Sequence, residues 1–98
     1  MFVKSFEQAR ATSADAPHAV TVYGTQWCAA TQRVRRYLDR LHVPYVFRDM
    51  DRDPRATSMV QWWSGGDASH PTVQIGGDVL IEPAMQELQD VLVQHGLV

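Results

Sequence analysis

The sequence predicts an α/β domain, a mixed four-stranded sheet with helices on both faces in the order β-α-β-α-β-β-α. Three observations lead there. Short β-branched and aromatic runs alternate with stretches of helical apolar spacing. The first two runs are separated by a helix-length segment, which calls for a parallel pair and a right-handed crossover. The last two are separated only by Gly76-Gly77-Asp78, a tight turn that predicts an antiparallel hairpin.

Each element follows in chain order. Residues 1–17 read as an N-terminal extension, and residues 18–98 as the domain. Phe2, Val3 and Phe6 suit one side of a short helix, and 11–17 reads as a connector ending at Pro17. Residues 19–24 form the first strand. Ala30, Val34, Leu38 and Leu41 recur at helical spacing and predict an amphipathic helix over 28–42. Pro44 then leads into the strand Tyr45-Val46-Phe47, which ends in the polar Asp49-Met50-Asp51. Asp53 is an N-cap and Pro54 occupies the first helical position of a helix that stops at Gly65-Gly66. Residues 71–75 and 79–81 are the hairpin strands. Pro83 suits the first turn of a last helix, whose period is kept by Met85, Leu88, Val91, Leu92 and His95.

Composition narrows the class. The chain has 98 residues, 45% hydrophobic and 20% charged, which fits one soluble domain with one core. No apolar run reaches the roughly 20 residues of a membrane span. The first ten residues carry Lys4, Glu7 and Arg10 and no hydrophobic signal core, so the expected location is the cytoplasm. A net charge of −2 gives no electrostatic case for nucleic acid or a membrane surface. His18, His42, His70, His95 and Cys28 show no metal-ligand spacing, so no metal site is expected.

The chemistry points to Cys28. It is the only cysteine, so the fold does not depend on an internal disulfide. It lies between the first strand and the first helix. Unpaired N–H groups and the positive end of the helix dipole favour thiolate over thiol there. The thiolate is the nucleophile, and this reading is preferred to a buried inert cysteine.

The element order, with Trp27-Cys28 after the first strand and His70-Pro71-Thr72-Val73 opening the third, resembles the glutaredoxin branch of the thioredoxin fold over about residues 18–95. The resemblance implies an aromatic, Trp27, flanking the nucleophile and a cis peptide before Pro71. It also implies that His70 offers its backbone to a ligand joined to Cys28. His70, Pro71 and Thr72 would then wall the bound disulfide. A dithiol member would have a second cysteine at position 31, where this chain has Thr31. What remains is a monothiol cycle, in which Cys28 attacks a mixed disulfide and is rescued by a small thiol. The Thr31 hydroxyl, one helical turn away, is placed to donate to the thiolate.

Other departures concern the co-substrate. The stretch Cys28-Ala29-Ala30-Thr31 differs from the Cys-Gly-Phe-Ser of cluster-binding monothiol members, which argues against an iron–sulfur cluster. The lysine common three residues before the nucleophile is Thr25. The Gly-Gly and acidic pair that bind the γ-glutamyl end of glutathione are replaced by Ile81-Glu82-Pro83-Ala84. The pattern is most similar to mycoredoxins. A low-molecular-weight thiol other than glutathione is favoured, mycothiol or bacillithiol, with no tightly bound cofactor. The expected partners are that thiol and S-thiolated proteins, with the chain a monomer. The alternatives are a redox-silent module that docks a peptide or partner protein, and a dimer linked through Cys28.

Four further readings are open to the structure. The His70 side chain either approaches the sulfur and, when charged, lowers the thiol pKa, or points to solvent with its backbone alone acting; the second reading is preferred, with Thr72 as the inward neighbour. Arg33, Arg36 and Arg40 form a basic stripe on the first helix, read as a solvated face with Asp39 as an ion-pair partner. Arg33 lies nearest the site and is the one assigned to substrate binding. Trp63 is expected to pack and Trp62 to be exposed or to wall the ligand groove.

Overall fold

A computed structural model of the chain describes residues 19–98. The expected extension over 1–17, with its short helix, and His18 lie outside the described residues. Seven elements follow in the expected order: β1 (Val20–Gly24), α1 (Ala29–Arg40), β2 (Val46–Asp49), α2 (Pro54–Ser64), β3 (Thr72–Ile75), β4 (Asp78–Ile81) and α3 (Met85–Gln94). The sheet order is β2-β1-β3-β4. β1 runs parallel to β2 and antiparallel to β3, and β3–β4 is the hairpin. No helix of the described residues is long and apolar enough to cross a membrane.

The two-residue period of the strands sorts side chains onto two faces. Val20 and Val22 of β1 and Val73 and Ile75 of β3 join Val34, Leu38, Leu88 and Leu92 of α1 and α3 in the larger core. Tyr23, pointing the other way, packs with Met50, Ala56 and Val60 under α2. The Trp63 ring meets Tyr23 edge-on at 5.3 Å, while Trp62 is 84% exposed. Helices therefore cover both faces, as the alternation requires.

Local signals set the helix ends. Asp53 Oδ1 accepts from the N–H groups of Arg55 (3.0 Å) and Ala56 (3.3 Å), with Pro54 following as expected. Gly65, at φ +80°, ends α2. α3 closes with Gly96 at φ +71°, and Leu97 N–H returns to Leu92 O at 3.0 Å. α1 closes the same way without a glycine. His42 takes φ +57°, its N–H reaches Asp39 O (3.1 Å), and Val43 N–H reaches Leu38 O (3.0 Å). The helix expected over 28–42 therefore stops at Arg40, and buried Val43 beside Leu38 holds a turn that no glycine announces. Two smaller corrections arise at β4–α3 and in α1. Pro83 precedes the N-cap Ala84 rather than entering the first turn. In α1 the buried positions are Thr31, Val34 and Leu38, so Thr31 takes the core place expected for Ala30.

Candidate functional site

The chain leaves β1 at Gly24, turns through Thr25, Gln26 and Trp27, and enters α1 with Cys28 as the N-cap residue. Cys28 has extended backbone angles (φ −83°, ψ 118°), and its carbonyl accepts the first helical bond from Gln32 N–H at 3.1 Å. Its side chain makes no capping hydrogen bond of ordinary geometry, although the Ala30 and Thr31 N–H groups face the sulfur, and the residue is half-buried. Gln32 ties the turn to the helix, its Nε2 donating to Thr25 O (3.3 Å) and Gln26 O (3.1 Å).

Thr31 is fully buried beneath this junction, against the backbone of Gly24. A Cβ on Gly24 would stand 2.5 Å from both Thr31 Cγ2 and Oγ1. β1 must therefore end in a residue without a side chain for α1 to start so close to it. The sequence pattern ends the first strand at Gly24 and gives no hint of this fit beyond a glycine seven residues before a threonine.

Two opposing effects set the acidity of the thiol. Burial pushes it up. The Thr31 hydroxyl and N–H, the His70 side chain and the Ala30 N–H outweigh that and bring it down to about 7. Thr31 Oγ1 and His70 Nδ1 are buried and meet no hydrogen-bonding partner among the described residues. Uncommitted donors beside a sulfur are what a thiolate requires, and native structures rarely bury such groups without a use.

His70 corrects the expectation that its side chain would point to solvent. Its ring stands edge-on to Trp27, with centroids 5.3 Å apart. The turn before Pro71 aims it back over the Cys28 junction, where strand alternation does not apply because β3 begins only at Thr72. The His70–Pro71 peptide is cis, as the resemblance implies. Thr72 is buried, and its hydroxyl donates to Ser69 O at 3.0 Å, tying down the loop rather than lining the ligand space.

Open hollows flank the junction, with His70 bordering both. One, of about 250 Å³, lies between α1 and the start of α3 and is bordered by Ala30, Arg33, Pro71, Glu82 and Met85. Arg33 therefore does reach the site from its exposed stripe, whereas Arg36 and Arg40 stay on the exposed face. The expected pairing with Asp39 is absent from the ion pairs of the described residues, and Arg40 lies over Tyr37 at 6.0 Å. The other hollow, of about 180 Å³, is bordered by Thr25, Trp27, Met50, Asp51 and Thr57. Trp62 borders neither of these two hollows.

The polar Asp49-Met50-Asp51 stretch, given no role from sequence, anchors the cysteine turn. Asp51 Oδ2 accepts from Trp27 Nε1 at 2.8 Å, Asp49 Oδ2 accepts from Gln26 Nε2 at 3.2 Å, and Met50 N–H donates to Gly24 O at 2.8 Å. Trp27 is thus held upright although 70% exposed.

Comparison with known proteins places these features. The glutaredoxin family model matches residues 20–80. Two Mycobacterium tuberculosis proteins, one from each of two strains and both provisionally named glutaredoxin, are 30% identical over 77 residues, spanning 78% of this chain and 92% of their own length. The solved thioredoxin-like protein BC3987 superposes with a TM-score of 0.68 at 27% identity, covering 74% of this chain and 99% of its own. An Archaeoglobus fulgidus glutaredoxin shares the fold with a TM-score of 0.69 at 21% identity, over 76% of this chain and 86% of its own.

Proposed function

The chain belongs to the glutaredoxin family, and we propose that within this family of thiol-disulfide oxidoreductases it works through one cysteine, reducing mixed disulfides between proteins and a low-molecular-weight thiol. The observation that carries this reading is the half-buried Cys28 thiol, lowered to about 7 by Thr31 and His70 at the start of α1. Near neutral pH it is therefore more thiolate than an ordinary cysteine.

The cycle has two exchanges. The Cys28 thiolate attacks the small-thiol sulfur of a mixed disulfide. That S–S bond breaks, a new one forms to Cys28, and the protein thiolate leaves with the electron pair. A second small-thiol thiolate then attacks the sulfur bound to Cys28. It leaves as the symmetrical disulfide and returns Cys28 to thiolate, so each cycle consumes one free small thiol, whose sulfur is oxidised to disulfide as the protein sulfur is reduced to thiol. Thr31 and the helix N–H groups hold the charge on sulfur between steps. Trp27 flanks the sulfur, and His70 with Pro71 lies where an extended ligand would run. Thr72 holds the loop beneath them.

Thr25 in place of a lysine, and Glu82-Pro83-Ala84 before α3, support a co-substrate other than glutathione, with mycothiol and bacillithiol as candidates. S-thiolated proteins are the partners on this reading, and the chain works as a monomer in the cytoplasm. The test is to incubate the reduced protein with each small-thiol disulfide, weigh the adduct, and assay turnover of the matching protein mixed disulfide. Wild type gains one small-thiol adduct and turns over, whereas Cys28→Ser does neither. Turnover retained by Cys28→Ser would refute the reading.

A further inference from the structure

The hollow on the Trp27 side of Cys28 has a one-signed charge pattern. Its border carries the Asp51 carboxylate, and among the described residues none that lines it is a lysine or arginine. The cation next in sequence, Arg52, turns to Asp49 at 3.9 Å. Asp51 is not free to swing away, because its Oδ2 accepts from Trp27 Nε1 at 2.8 Å and its N–H donates to Asp49 Oδ1 at 2.9 Å. The remaining polar border is the Thr25 and Thr57 hydroxyls and the His70 imidazole. Thr57 Oγ1 already donates to Met50 O (2.8 Å) and keeps its lone pairs, and Thr25, 2% exposed, has an Oγ1 with no partner among the described residues. One fixed negative charge, and no lysine or arginine of the described residues, therefore faces any group that enters beside the sulfur.

We infer that Asp51 is a specificity-determining residue: it selects against thiols that place a carboxylate on the Trp27 side of Cys28 and favours those that place hydroxyl or amine donors there. This rests on Cys28 accepting a small thiol, and it adds the chemical class of the part that lies in this hollow. Repulsion acts on the approach and on the mixed disulfide alike. Between surface charges several ångströms apart it is expected to change rates by about two- to fivefold at low salt, and to fade as salt rises.

The test uses three small symmetrical disulfides that differ in charge: dithiodipropionate (anionic), hydroxyethyl disulfide (neutral) and cystamine (cationic). The rate at which each adds to Cys28 of the full chain is measured by mass at about pH 8, where thiolate predominates. Each rate is divided by that of the neutral probe on the same protein, which cancels differences in folding and thiol acidity between variants. Asp51→Asn keeps an acceptor for Trp27 and removes the charge. It is expected to raise the anionic-to-neutral ratio about two- to fivefold and lower the cationic-to-neutral ratio, with Asp51→Lys going further in both. High salt should move the wild-type ratios in the same direction. Ratios that match wild type in both variants would overturn the assignment of Asp51 while leaving Cys28 as the nucleophile. If no probe adds to wild-type Cys28, the nucleophile reading falls and this one with it.

Discussion

At the scale of single residues, the chemistry rests on a sulfur whose charge is shared among a few named donors. Thr31→Val keeps the shape that fits against Gly24 and removes only the hydroxyl, so the Cys28 thiol should become less acidic with little loss of fold. A titration of Cys28 reactivity checks this, and an unchanged profile would exclude the hydroxyl. His70→Ala should shift the thiol in the same direction by removing a second donor. The acidity also predicts how stability depends on pH. The folded thiol titrates at about 7 and an ordinary one at about 8.5, so between those values the unfolded chain binds more protons. The stability of wild type relative to Cys28→Ser should therefore rise with pH through that window and level off above it. Denaturant unfolding at several pH values reads this, and a flat or falling difference would contradict it. Cys28 was legible in the sequence because one cysteine between a strand and a helix is a strong local signal. The His70 side chain was not, since its direction is set by the turn before Pro71 and not by strand alternation.

At the scale of elements, the site is a joint between β1 and α1 that tolerates no spare atoms. Gly24→Ala would drive a Cβ into the branched Thr31 side chain, which cannot swing clear as a long flexible one would. The expected cost is about 1–3 kcal/mol by denaturant unfolding, together with a less acidic thiol because Thr31 is displaced. Pairing Gly24→Ala with Thr31→Ser, which lacks the clashing Cγ2, should recover part of both losses. An additive double mutant would show that the two residues do not meet. Elements whose ends are marked by residue type were readable, as Asp53-Pro54 and Gly65 show. The end of α1 was not, because His42 adopts a backbone conformation usually given to glycine and is held there by the burial of Val43. The Asp49 and Asp51 contacts were equally hidden, since they join segments that only the parallel pairing of β1 and β2 brings together.

At the scale of the molecule, the two-faced sheet fixes where the joint can lie. The larger core holds α1 and α3 against one face, and Leu92 of α3 is fully buried in it. Leu92→Ala should cost about 2–5 kcal/mol in denaturant unfolding, and a loss well under 1 kcal/mol would mean that α3 is not part of the load that holds the domain together. The fold class was legible because strand and helix periods alternate along almost the whole chain, and a parallel pair followed by a hairpin leaves few ways to assemble them. Whether the fold turns one cysteine into an acidic nucleophile is read from the rate of Cys28 alkylation as a function of pH in the folded protein. The rate should reach half its maximum near pH 7, the thiol being lowered to about that value. A midpoint at about 8.5, that of an ordinary thiol, would contradict it.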